Sequence, residues 1–200
     1  MGPYPMVYGS QGRTTHTDVR EMVECTPDTD LIVIPDLISS KDNPVDLSSR
    51  DCTWGMVQMR NMAIFRGLEY HHLLLIENNV RVHKDTLLKL LSYGESILIP
   101  RPNYVSYPSI GARCFGPSIT NTYPLHPLRW SAHSIVLFHM PDVVRVPVMF
   151  AGVAESVDHK RWQKYIGPAH MALDVPVDIL RIPTGFREEF ETQALPKDYE

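Results

Sequence analysis

Arg60-Asn61-Met62-Ala63-Ile64-Phe65-Arg66-Gly67-Leu68-Glu69-Tyr70-His71-His72-Leu73-Leu74-Leu75-Ile76-Glu77-Asn78-Asn79-Val80 decides how the rest of this chain is read. It predicts a helix ending near a glycine, then a strand that stops at three polar side chains. Four apolar residues in a row, Leu73 to Ile76, suit a strand covered on both faces, as in a parallel α/β sheet. Ligands of such sheets gather at the carboxyl ends of the strands, which puts Glu77 and Asn79 where a small molecule or metal is expected. An amphipathic helix follows, with Leu87, Leu88, Leu90 and Leu91 on a helical period. Asp85 falls in its first turn, where a carboxylate complements the helix dipole.

Outward from that stretch the pattern alternates. Residues 5–9, 31–34 and 97–99 read as strands, the last closed by Pro100, and residues 14–25, 54–66 and 84–93 as helices. On the first helix Val19, Met22 and Val23 share a face. Right-handed crossovers then predict an α/β fold with a mostly parallel, doubly wound sheet flanked by helices. Ser10 opens the loop leaving the first strand, and Pro35-Asp36 stops the second. Residues 101–129 show no sustained period, a length that in a compact domain usually serves function. Residues 134–139 restore a strand, 155–166 a helix and 177–182 a last strand. The reading is one domain over residues 1–186 and a polar tail over 187–200.

Composition narrows the classes. Two hundred residues with 44% apolar content bury one sizeable core. No apolar run approaches the ~20 residues that span a bilayer, and no secretory pattern opens the chain, so the expectation is a cytoplasmic protein that does not use a membrane. Cys25, Cys52 and Cys114 are far apart and lack CxxC spacing, which indicates neither a disulfide framework nor a cysteine zinc site. A net charge of −4 disfavours a nucleic-acid-coating surface. Nine histidines include no HxxxH or HExxH pair, and His71 and His72, as strand neighbours, should leave opposite faces.

Together these features resemble the family-2-type glycosyltransferases, nucleotide-sugar enzymes of the GT-A fold. In that family a helix with an alanine-Arg-Asn-like signature leads to a strand ending in Asp-x-Asp, then a valine, a short polar link and a leucine-rich helix. Here Arg60-Asn61 with Ala63, Leu73 to Ile76, Glu77-Asn78-Asn79, Val80 and Asp85 to Leu91 stand in the same order. Two shorter matches flank them: Asp36 with Ser39 and Ser40 after the second strand, and Glu155-Ser156-Val157-Asp158 at a helix start. The Asp-x-Asp motif is degenerate, and Asn79 offers a neutral amide oxygen where the family has a carboxylate, a weaker ligand for Mg²⁺ or Mn²⁺.

The resemblance implies transfer of a sugar from a nucleoside-diphosphate donor, a UDP-sugar first, to a hydroxyl acceptor with inversion at the anomeric carbon. It implies a divalent cation, Mn²⁺ or Mg²⁺, at Glu77 and Asn79, with Arg60 facing the phosphates and Asp36 the base. Ser10 lies at the donor loop, and Asp158 or Glu155 is the catalytic base. Each residue also has a plain reading: Arg60 as a helix residue tied to a nearby carboxylate, Asp36 as a turn former, Glu155 and Asp158 as dipole-stabilising carboxylates, Trp130 as core. His159 or His170 is a further candidate for a metal or phosphate contact. Two other functions fit the same residues. One is a nucleotide-sugar-binding or scaffold protein that lost catalysis, which Glu-Asn-Asn suits. The other is a nucleotidyltransferase, for which Gly9-Ser10-Gln11-Gly12-Arg13 is a thin phosphate loop without the GxxxxGK[ST] pattern. The acceptor stays open among protein, glycan, small molecule and modified nucleic acid, a soluble one being favoured over a lipid and nucleic acid the least favoured.

Overall fold

The computed structural model describes residues 4–10, 17–35, 60–77, 80–104, 124–128, 135–144 and 162–179. The strands are β1 (Tyr4–Ser10), β2 (Thr29–Pro35), β3 (His72–Glu77), β4 (Val80–Arg81), β5 (Ile97–Tyr104), β6 (Leu125–Pro127), β7 (Ile135–His139) and β8 (His170–Ile179). The helices are α1 (Thr17–Glu24), α2 (residues 60–67), α3 (Thr86–Leu91) and α4 (Met140–Val143), with a further helical turn at 162–165. The predicted β-α-β alternation of the first hundred residues is present wherever the chain is described. The predicted tail lies outside those residues, as do residues 36–59, which hold the start of the helix expected over 54–66, residues 105–123 of the stretch without a period, and most of the helix expected over 155–166.

One sheet runs in the order β2-β1-β3-β7-β5-β8-β4, with β6 on β8. β1 is parallel to both β2 and β3, and β5 to β8, while β7 is antiparallel to β3 and to β5. Strands β1, β2, β3, β5 and β8 therefore point one way, and β7 is inserted reversed among them. Helices cover both faces, and the alternation of strand side chains sorts the core. Leu73, Leu75, Ile97, Ile99, Val136 and Phe138 face α2 and Trp162. Leu74, Ile76, Leu98, Ile135 and Leu137 face α1 and α3. Leu73 to Ile76 are all buried, as a strand sandwiched between helices requires. Gly67 lets α2 lie close to β3, since a Cβ there would stand 3.1 Å from a methyl of Leu73. No helix among the described residues is long and apolar enough to cross a membrane.

Prolines mislead the sequence reading in two strands. β5 does not close at Pro100 but continues to Tyr104 through Pro100 and Pro102, with a register shift at Pro100/Arg101. Among the described residues it has no ladder with β7 beyond Leu98, so the missing proline N–H groups forfeit no described bond on that side. β8 begins at His170, seven residues earlier than predicted, and carries Pro176 opposite the bulge, its exposed side chain alternating with buried Val175 and Val177. β4 and β6 are too short to leave a periodic signal.

At the amino end of β3 the rings of His72 and His139 lie 5.1 Å apart, and those of His71 and His139 6.5 Å apart. Desolvation, with repulsion from His139 and His71 added, pushes His72 down to about 4 from its ordinary 6.5. A depressed histidine stays neutral in the folded chain while the unfolded chain takes up the proton near its ordinary value. The associated stability is thus complete above pH 6.5 and is lost as pH falls from about 6.5 to about 4. The loss is on the order of 1–3 kcal/mol after allowing for partial solvation. Urea unfolding in EDTA at pH 7 and pH 4.5 checks it, and His72→Gln should flatten the difference.

Candidate functional site

The shared carboxyl edge of β2, β1 and β3 is where sequence reasoning placed the donor. Gly9 is in register with Glu77 and Ser10 with Pro35, so three strands end side by side within one residue of one another. Neighbouring strands lie about 4.8 Å apart, which brings the backbone at Ser10 and at Glu77 to one small patch. Helix α2 packs back over β3 through Ala63, Ile64 and Gly67 and delivers Arg60 to the same edge. There the guanidinium donates from Nη2 to Oε1 of Glu77 at 2.5 Å.

Both partners are largely shielded, with side chains 11% exposed for Arg60 and 29% for Glu77. A charge-assisted hydrogen bond in such a place is shorter and stronger than a neutral one, and it fixes the orientation of the carboxylate. The plain reading of Arg60 is the one observed, a helix residue tied to a nearby carboxylate, and that carboxylate is the first residue of the predicted ligand motif.

A second carboxylate secures the chain just past the motif. Asp18, in the first turn of α1, accepts the Val82 N–H through Oδ2 at 2.9 Å and the Arg81 guanidinium through Oδ1 at 3.2 Å. Arg60 thus anchors Glu77 at the end of β3, and Asp18 anchors the chain where it is next described, at Arg81 and Val82. Sequence reasoning missed Asp18; its only local signal is an acidic residue in a first helical turn, which the dipole already explains. Asp18→Ala strands a backbone donor and should cost about 1–2 kcal/mol in thermal unfolding. Arg81→Gln, which removes an ion pair with one partner 40% exposed, should cost less than about 1 kcal/mol.

Of the predicted site residues, Arg60 and Glu77 are in contact, and the backbone of Ser10 ends the neighbouring strand. Asp36, Asn79, Glu155 and Asp158 lie outside the described residues, and so do Trp130 and His159. His170 does not belong to the site. It starts β8, which runs in the same direction as β3, so it sits at the opposite end of the sheet, with Nδ1 3.0 Å from Oε2 of Glu95. Among the described residues no three histidine, cysteine or acidic side chains are arranged to hold a metal ion.

Neither a protein-family model nor the sequence of a curated protein matches the chain. Solved structures do. A197 from STIV superposes with a TM-score of 0.58 at 10% identity, over 90% of this chain and 86% of that one. GalNAc-T7, crystallised with UDP, GalNAc and Mn²⁺, superposes with a TM-score of 0.62 at 11% identity, over 97% of this chain. The chain has the GT-A fold. Another GT-A structure is glucosyl-3-phosphoglycerate synthase from Mycobacterium tuberculosis, solved with Mn²⁺, UDP-glucose and phosphoglyceric acid. It superposes with a TM-score of 0.50 at 10% identity over 96% of this chain and 77% of that one. The chain spans about half of the GalNAc-T7 chain, 51%. At these identities the likeness is one of GT-A architecture.

Proposed function

We propose that the chain is a glycosyltransferase that moves a sugar from a nucleoside-diphosphate-sugar donor to a hydroxyl acceptor with inversion. The observation that carries this reading is the Arg60–Glu77 pair at the carboxyl edge of the GT-A sheet. GT-A structures that bind UDP with Mn²⁺, or UDP-glucose with Mn²⁺, support a UDP-sugar as the first donor to test.

The acceptor oxygen attacks the anomeric carbon as the bond to the diphosphate breaks, and the acceptor proton passes to a carboxylate, Asp158 or Glu155. The leaving diphosphate takes the electron pair and needs positive charge. Arg60 lies at the right edge to supply it and at the same time holds Glu77. Ser10 ends β1 and Asp36 follows the last residue of β2, where ribose and base would rest. The oxygen donors Glu77 Oε2 and Asn79 fit a hard cation such as Mn²⁺ or Mg²⁺, and such an ion would neutralise the diphosphate. Because Arg60 already balances Glu77 and Asn79 is neutral, the ion's charge would be met mainly by the phosphates. The same neutrality favours, as a second reading, a nucleotide-sugar-binding protein without turnover.

The test is thermal unfolding with UDP, GDP, CMP, ADP or TDP, each with Mn²⁺, Mg²⁺ or EDTA. At about 100 times the dissociation constant the cognate nucleotide should add roughly 2.7 kcal/mol. Donor turnover should then disappear in Asp158→Asn or Glu155→Gln with nucleotide binding kept. Binding without turnover would select the second reading, and the absence of any nucleotide response would overturn both.

A further inference from the structure

The amino end of β3 carries a second concentration of chemistry that the donor site does not use. His72 begins β3, His139 ends β7, and the two stand directly opposite each other in the antiparallel ladder. Directly opposed residues hold their Cβ atoms about 5 Å apart, near enough for two imidazoles to share one ion. With nitrogen–metal bonds of about 2.0–2.1 Å and tetrahedral angles, two ligating rings have centroids about 5.2 Å apart. The observed separation is 5.1 Å.

The backbone around the pair is pinned from outside the ladder. His139 N–H donates to the Ser96 carbonyl at 2.9 Å and Met140 N–H to the His71 carbonyl at 2.8 Å. Behind the ring of His139, Oδ2 of Asp142 lies 2.8 Å from Nδ1 and accepts the Ser96 hydroxyl at 2.6 Å. A carboxylate on Nδ1 fixes the tautomer that leaves the Nε2 lone pair available, the usual support behind a metal-ligating histidine. His71 precedes the strand, so strand alternation does not turn it away. Its exposed ring lies 6.5 Å from that of His139, about one ångström beyond ligand spacing, which a rotamer change covers.

We propose that His72 and His139, with His71 turning in as third ligand, bind one borderline divalent transition metal of the Zn²⁺ or Ni²⁺ class. In the present conformation no three ligating side chains converge among the described residues, so binding completes the site. Imidazole nitrogens select these ions over Mg²⁺ and Mn²⁺, and five residues of strand place the site about 17 Å from Glu77. It is therefore separate, in place and in ion preference, from any cation at the donor edge. The bound ion would cross-link the strands β3 and β7 at this end.

The experiment is calorimetric titration of the tag-free full chain, in a Cys25→Ser background to remove the exposed thiol, with ZnCl₂, NiCl₂ and MgCl₂ at pH 7.5. Tight binding of one Zn²⁺ or Ni²⁺ per chain is expected, with no comparable Mg²⁺ heat. His139→Gln should weaken it at least 100-fold and Asp142→Asn about 10-fold. His83→Gln, at an exposed histidine elsewhere, should leave it unchanged. His71→Ala, a surface change that spares the fold, should weaken binding about 10-fold even if His139→Gln unfolds the chain. Unchanged affinity in His71→Ala and Asp142→Asn, or loss in His83→Gln equal to theirs, would overturn the site.

Discussion

Arg60→Ala is expected to lower nucleotide-sugar turnover on the order of 100-fold and to cost about 2–3 kcal/mol of stability. The two effects have separate causes. The variant leaves the Glu77 carboxylate, 29% exposed, without the guanidinium that donates to it, and breaking a shielded pair by removing one partner is dearer than the pair itself is worth. Catalytically it removes the positive charge proposed to meet the leaving diphosphate. Glu77→Gln separates the causes, since it weakens the pair yet leaves Arg60 charged. Turnover should fall less than in Arg60→Ala, and a double-mutant cycle in urea unfolding should give 1–3 kcal/mol of coupling. Arg60→Lys keeps the charge but not the planar fork, so partial rescue of turnover with little rescue of stability is expected. Full activity in Arg60→Ala would remove the pair from the mechanism and leave it a structural contact.

The parts of this fold that the sequence discloses are those whose physics is local. Leu73 to Ile76 announce a doubly covered strand because both faces need apolar side chains, and the strand ends at Glu77. Val19 and Met22 disclose the buried face of α1 in the same way. Pro100 and Pro176 hide the extent of β5 and β8, because a proline ends a strand only where its N–H is needed, and that depends on which neighbour is present. β7 lies reversed between β3 and β5, an arrangement settled by tertiary packing that no window of sequence carries.

The site divides along the same line. Glu77 was legible as a strand-end carboxylate and Arg60 through the order of its motif, yet their contact joins residues seventeen apart. Asp18 and Val82 are sixty-four apart, and nothing in either neighbourhood points to the other. The histidine seam was missed for a definite reason. Strand alternation separates His71 from His72 only if both belong to the strand, and β3 begins at His72.

Trp162→Ala is expected to cost about 3–5 kcal/mol, lowering the melting temperature by roughly 10 °C. Trp162 is 1% exposed and is the largest fully buried side chain among the described residues. Its ring packs on Phe138 with centroids 4.8 Å apart, within the cluster that includes Ala63 and Ile64 of α2. The neighbouring Gln163 donates to the Leu128 carbonyl, so this helical turn is tied to the sheet on two sides. Removing the indole opens a cavity that a sheet on one side and α2 on the other are poorly able to close. Trp162→Phe keeps an aromatic partner for Phe138 and should cost less, about 1–2 kcal/mol. The functional consequence follows from spacing. Asp158 stands four residues before Trp162 and Glu155 seven, one and two helical turns away if the predicted helix is continuous. Trp162 then sets the phase and depth of the segment that carries the proposed base. Assayed well below its melting temperature, Trp162→Ala should lose turnover while nucleotide affinity changes little, because the Arg60–Glu77 edge is built from other elements. Equal loss of both would instead mean that the cavity loosens α2 and, through it, Arg60.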